Sequence, residues 1–260
     1  MSVERVLANA AFGDDPGRWP LPAATSPREQ WLRAVVAGGQ GRYAGARADL
    51  ALLNRSRDAG PLASLAHSTR ASFLRQLGRH TEARSWDGRA IALAGQDPEA
   101  TADALIGLAA DALGVGRFAA SASALQRCAG VVTGMPRARV REAWVSAELA
   151  MAGGRGAAAV HHAERAVAHS HEFGSARHRM KSSVVLAAAR CSAGDLDGAR
   201  AVADTALAET ERYGMIPLRW ALACLLVDIG SARYSPQEMV RTREDCAITV
   251  RQRGGEWSVR

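Results

Sequence analysis

The chain has 260 residues, 48% of them apolar but only 5% aromatic, with a formal net charge of +7. That length allows one large domain or one elongated array with a substantial interior. Runs rich in Val, Ile, Thr and aromatics are nearly absent, which argues against a sheet, and no stretch reaches the roughly 18 uncharged apolar residues a membrane span needs.

The apolar content is small. Ala alone supplies 55 residues, and the basic charge is Arg except for Lys181. Ala favours helix and lets backbones approach closely. The four cysteines, Cys128, Cys191, Cys224 and Cys246, are widely spaced with no C-x-x-C pair, so reduced thiols at small helical contacts are expected.

The N-terminal stretch "MSVERVLANAAF" lacks the basic start and long apolar run of a secretory signal, so a cytoplasmic location is expected. It predicts a short helix over Val3–Phe12. Gly13–Thr25, "GDDPGRWPLPAAT", holds three Pro and two Gly and reads as a linker or extended strap. Residues 1–27 therefore form an N-terminal helix and strap. "SPRE" at Ser26–Glu29 then offers a capping Ser, Pro at the first helical position and Glu at the third.

From residue 28 to 213 a pattern recurs. "GRYAGA" begins at Gly41, "GRHTEA" at Gly78, "GRFAAS" at Gly116, "GRGAAA" at Gly154 and "GDLDGA" at Gly194, in steps of 37, 38, 38 and 40 residues. Five residues after each Gly stands a small residue: Ala46, Ala83, Ser121, Ala159, Ala199. Seven further on come Leu53, Ala90, Cys128, Ala166 and Ala206. Seven before each Gly stands Ala34, Ala71, Ala109, Ala147 or Ala187. A seven-residue step is two helical turns, so these small residues share a stripe. Gly ends one helix because it accepts positive φ, and the next helix starts after it. One such pair cannot bury its apolar face alone, so the units must stack.

Beyond them, Pro217–Ile229 and Pro236–Arg253 predict a sixth, degenerate pair, the second helix capped by "SPQE" at Ser235–Glu238. The last residues, "GGEWSVR", are expected to fray. Residues 214–260 hold this pair and the tail.

These small residues and turn glycines make residues 28–213 resemble the tetratricopeptide repeat (TPR) family, in the long-period form of bacterial transcriptional regulators and signalling adaptors. The fold expected is all-α, an α-α superhelix (a TPR-like solenoid) of about five to six helix-turn-helix repeats. The resemblance implies that the first helix of each pair lines a concave groove holding an extended or helical peptide. Carried over by position, the stripe is Trp31, Val35 and Gly38; Ser68, Ser72 and Arg75; Ile106, Ala110 and Leu113; Trp144, Glu148 and Met151; Val184, Ala188 and Cys191; then Trp220 and Cys224. One position earlier lie Arg28, Arg141 and Lys181. Trp and Arg dominate many binding surfaces, so the partner-binding residues expected are Arg75, Arg141, Trp144, Glu148, Lys181 and Trp220. Trp86, on a second helix, is expected in the core.

Catalytic signals are weak. Residues 161–178 hold five of the seven His, but not at the i, i+4 spacing that would turn two rings to one ion. "GQGRYA" from Gly39 and "GGRGAAA" from Gly153 follow helices, whereas a dinucleotide loop follows a strand. The expectation is a non-catalytic protein with no cofactor and no bound metal. It is read as an adaptor or regulatory scaffold for a protein or peptide partner, an acidic one included, away from membranes. Two alternatives stand beside it. Residues 31–95 carry ten Arg against four acids and suggest a nucleic-acid-associated regulator. A small-ligand sensor or enzyme on the same scaffold is the other.

Overall fold

In the computed structural model, which describes residues 2–53 and 60–258, the turn glycines Gly41, Gly78, Gly116, Gly154 and Gly194 all have φ between +67° and +86°. A side chain would be strained in that region; glycine is not. At each turn the N–H of the next residue donates to a carbonyl five positions back. The pairs are Arg42 to Ala37, Arg79 to Leu74, Arg117 to Ala112, Arg155 to Ala150 and Asp195 to Arg190. This closes the helix end by satisfying carbonyls that would otherwise be orphaned.

All regular structure among the described residues is helical. Helix α1 (Val3–Phe12) precedes six hairpins: α2 (Pro27–Gly39) with α3 (Tyr43–Leu53), α4 (Pro61–Gln76) with α5 (His80–Leu93), and α6 (Pro98–Gly114) with α7 (Phe118–Ala129). Then come α8 (Pro136–Ala152) with α9 (Gly156–Phe173), α10 (Ala176–Ser192) with α11 (Leu196–Arg212), and α12 (Ile216–Ile229) with α13 (Pro236–Gln252). Both expected capping boxes form: Ser26 with Glu29 and Ser235 with Glu238 each exchange side-chain and backbone bonds. The chain is an α-α superhelix. Its first helices, α2, α4, α6, α8, α10 and α12, pack in sequence, and each second helix from α3 to α11 bridges to the next first helix. No described helix is long and apolar enough to cross a membrane.

The small-residue stripes are the packing seams. Ala34, Ala71, Ala109, Ala147 and Ala187 are fully buried, as are Ala46, Ala83, Ser121, Ala159 and Ala199. Ala90, Cys128, Ala166 and Ala206 complete the third row, with Leu53 nearly so. Larger apolar residues fill the space beside them, among them Leu105, Ile106, Val145 and Leu149 in the middle repeats. Trp86 packs, partly buried, on Ala71, Leu74 and Ala83, as expected of a core residue. Gly38, projected onto the groove stripe, is instead sealed against the Phe73 ring, into which a Cβ would collide.

One expectation needs correction. The C-terminal stretch does not fray as far as Ser258. The Ala44 N–H donates to the Arg253 carbonyl at 2.9 Å, Arg47 to the Gly254 carbonyl at 2.7 Å, and the Ser258 N–H to the Leu77 carbonyl at 2.9 Å. Trp257 lies against Trp220 with ring centroids 4.3 Å apart. The indole brings enough apolar area to hold a segment that looks like a polar tail in sequence.

The concave face implied by the resemblance is further closed into a ring, because the two ends of the array meet. Arg253 donates to the Gln40 carbonyl, joining the last hairpin to the first. Helix α1 crosses from α2 to α10, where the Ala176 N–H donates to the Gly13 carbonyl and Arg179 pairs with Asp14 at 2.9 Å. The strap after it is held by Gln40, which donates to the Pro16 and Arg18 carbonyls, and by Arg33, which donates to that of Pro22. The Arg42 guanidinium covers the Trp19 ring at 3.7 Å.

Candidate functional site

Inside the ring lies a cavity of about 370 Å³, walled by the first helices, by Phe12 from α1 and by His80 from α5. All six residues expected to bind a partner, Arg75, Arg141, Trp144, Glu148, Lys181 and Trp220, line it. So do Trp31, Val35, Ser68, Ser72, Ile106, Ala110 and Val184 from the projected stripe. Leu113, Met151, Ala188, Cys191 and Cys224 are not part of its wall. They sit one or two turns beyond, toward the C-terminal ends of their helices. Arg28 is outside, paired with Glu4 at 2.9 Å.

The tryptophans are fixed as walls. Trp144 donates its indole N–H to Ser182 Oγ at 2.9 Å, and Trp31 donates its own to Thr69 Oγ1 at 3.0 Å. The His178 ring stacks on Trp144 with centroids 5.4 Å apart and also touches Phe12 and Phe173. Burial keeps His178 neutral, its pKa well below the usual value, and the charges of Arg177, Arg137 and Arg141 add to that effect. Its Nδ1 lies 2.9 Å from Ser175 Oγ.

The cations are mostly braced across repeats. Arg75 on α4 pairs with Asp87 on α5 and, at 3.1 Å, with Asp111 on α6. Both carboxyls are completely buried, and Asp87 Oδ1 and Asp111 Oδ2 have no hydrogen-bond partner. Burial pushes the Asp87 carboxyl up to about 7, against the pull of Arg75 and with the push of Asp111. The Asp111 carboxyl is raised by burial too. Asp103 on α6 receives both Arg137, at 2.7 Å, and Arg141 from α8. Burial alone would raise its pKa, but the two guanidinium groups outweigh that and lower it. Lys181 on α10 pairs with Glu148 on α8 at 3.2 Å and lies 5.9 Å from the Trp144 ring centre.

Arg177 is different. Its buried Nε has no hydrogen-bond partner, and the aliphatic part of the chain passes over Gly39, where a Cβ would lie only 3.0 Å from its Cδ. Burial, together with repulsion from Arg137 and Arg141, lowers its pKa to about 10.

Sequence reasoning missed Arg137, Arg177, Asp103 and Phe12. The first two carried a signal: Arg137 is four residues before Arg141 and Arg177 four before Lys181, so one more turn of the same stripe finds both. Asp103 stands three before Ile106 on the same logic. Phe12 had none, because it arrives from a helix outside the repeat.

The basic region 31–95 is largely engaged internally. Arg33 pairs with Asp49 and Arg79 with Glu82 and Glu256, while Arg70 and Arg89 flank the Trp86 ring. Arg55 and Arg57 lie outside the described residues. His161, His162, His169, His171 and His178 do not converge, and among the described residues no group of three His, Cys, Asp or Glu is placed to hold a metal ion.

The fold and its interior thus define a closed α-α superhelix around an aromatic, cation-rich cavity. No protein-family model matches the sequence, and no curated protein sequence matches it. Among solved structures, the chain is similar to the crystal structure of BtubC (BKLC) from P. vanneervenii, at 18% identity and a TM-score of 0.46. The alignment covers 91% of this chain and 96% of that one.

Proposed function

We propose that this protein is a non-catalytic, TPR-like binding module, an adaptor or regulatory scaffold whose ring receives an acidic segment of a partner. The observation that carries the reading is the convergence of all six expected residues on one cavity, where Arg75, Arg137, Arg141 and Lys181 are paired with carboxylates and Arg177 is not paired among the described residues. The unpaired Arg177 within aromatic walls attracts an anion, and the walls take apolar groups. The volume suits a few side chains of a partner, not a folded domain. It equally suits a small anionic ligand, and that observation supports the sensor as second reading.

The test is an indole-fluorescence titration with short acidic, neutral and basic peptides. Trp31, Trp144 and Trp220 report from the cavity wall. Saturable binding of the acidic set alone, weakening as salt screens the charges, is expected. Equal response to basic peptides, or response to none, refutes the acidic-partner reading. A thermal-shift screen of small anions separates the second reading, since a bound ligand raises the melting temperature by mass action. Arg75 and Arg141 make poor probes despite their position: each neutralises a buried carboxylate, and removing it would unfold the brace rather than report on binding. Lys181→Gln is the better variant, because Lys181 and Glu148 are both about one-third exposed.

A further inference from the structure

Within this cavity, and resting on the reading that it takes an anionic guest, the charges do not balance at one place. Arg75 is matched by Asp87 and Asp111, and Lys181 by Glu148. Arg137 and Arg141 share the single buried carboxylate of Asp103; the other partner of Arg137, Glu99, is half exposed and screened by water. Arg177 lines the same cavity wall as both and, among the described residues, has no carboxylate partner and an orphaned buried Nε. Three guanidinium groups facing buried Asp103 and half-exposed Glu99 leave about one positive charge, that of Arg177, uncompensated. Burying such charge is costly unless an anion joins it.

We infer that Arg177, with Arg137 and Arg141, forms a subsite for a phosphate monoester dianion whose organic body lies along the Phe12 and Trp144 wall. Three guanidinium groups on one wall offer more donors than a carboxylate's two oxygens can use and suit the three oxygens of a phosphate monoester. The planar forks of arginine match phosphate oxygens in pairs, which a lysine cannot do. The Arg137 guanidinium over the Phe12 ring, 5.4 Å from its centre, places cation and apolar surface side by side, as an ester with an aromatic body requires. Gly39 belongs to the same device, since a side chain there would push Arg177 aside.

The experiment uses the full chain with phenyl phosphate, inorganic phosphate and benzoate as probes, read by indole fluorescence and by calorimetry. Phenyl phosphate should bind saturably and benzoate at least about tenfold more weakly, the scale of one lost charge-assisted hydrogen bond. Arg177→Gln should lose at least the same factor for phenyl phosphate, and Arg177→Lys should recover only part of it. Arg177 has no carboxylate partner among the described residues, so the unliganded Arg177→Gln protein should unfold at or above the wild-type temperature. If that variant proves unstable, the phenyl phosphate to benzoate ratio in wild type decides alone.

A phosphotyrosine peptide and its unmodified form distinguish a partner's side chain from a free metabolite: preference for the peptide over phenyl phosphate assigns the source to a protein. Benzoate binding as tightly as phenyl phosphate, or full affinity in Arg177→Gln, overturns the subsite while leaving an acidic guest in place if acidic peptides bind. No binding by any anion or acidic peptide overturns both readings.

Discussion

Asp87 shows how one side chain can set a pH response from the interior. Its carboxyl has no exposure, shares Arg75 with Asp111, and abuts Gly107, where any Cβ would collide with it. The folded protein holds its proton up to about pH 7, whereas the ordinary value is 3.8. Between those values the native state binds more protons than the unfolded chain, so this site favours folding at low pH and that contribution is lost as pH rises toward 7. Asp87→Asn keeps an acceptor for Arg75 and removes the titration. Urea denaturation at a series of pH values should show wild type losing stability relative to the variant between about pH 4 and pH 7, with the difference flat above that range. Parallel curves throughout would mean that Asp87 is already ionised in the native protein.

At the scale of elements, the inner helices are joined by ion pairs whose burial decides their worth. Asp103 is 6% exposed and gathers two guanidinium groups from α8, tying the third hairpin to the fourth. Removing it strands Arg141 and leaves Arg137 only the half-exposed Glu99, and Asp103→Ala should cost about 3–5 kcal/mol in chemical denaturation. Glu148 and Lys181 tie the fourth hairpin to the fifth, but both are about one-third exposed. Glu148→Ala should cost at most about 1 kcal/mol, because solvent screens the pair and holding two long side chains together loses entropy. Similar losses from the two substitutions would contradict this ranking. The same contrast explains why a residue of the binding stripe can be a brace in one repeat and available to a guest in the next.

Across the whole molecule, closure changes how an array of hairpins behaves. An open array is stabilised by neighbour contacts alone and can unravel from its ends. Here the ends are tied, through Arg253 to Gln40, Trp257 to the core of the first hairpins and α1 to α10. Trp257→Ala should therefore loosen the closure. Amide exchange is expected to rise at Ala44 in the first hairpin and at Ser258, whose N–H groups donate across it, while α8 and α9 keep their protection. Uniform acceleration across every hairpin would show that the tail supports global stability instead. Closure also limits the guest, since the interior offers about 370 Å³ rather than an open trough.

What the sequence determined by itself was everything carried by local geometry. The turn at each of the five glycines depends on one backbone conformation and a bond spanning five residues; the caps at Ser26 and Ser235 span three; the alanine stripes follow from the helical repeat. The part of the cavity wall that includes Trp31, Arg75, Arg141, Trp144 and Lys181 was legible for the same reason, since these residues occupy corresponding turns of the first helices. Curvature was not legible. It is the sum of small rotations between neighbouring hairpins, and a few degrees in each, accumulated over six, separate an open trough from a ring. Only the tertiary structure decided that Phe12 and Trp257 close that ring, that Arg75 and Arg141 spend their charge on buried carboxylates, and that Arg177 keeps its own. Each depends on which distant side chains meet once the curvature is set.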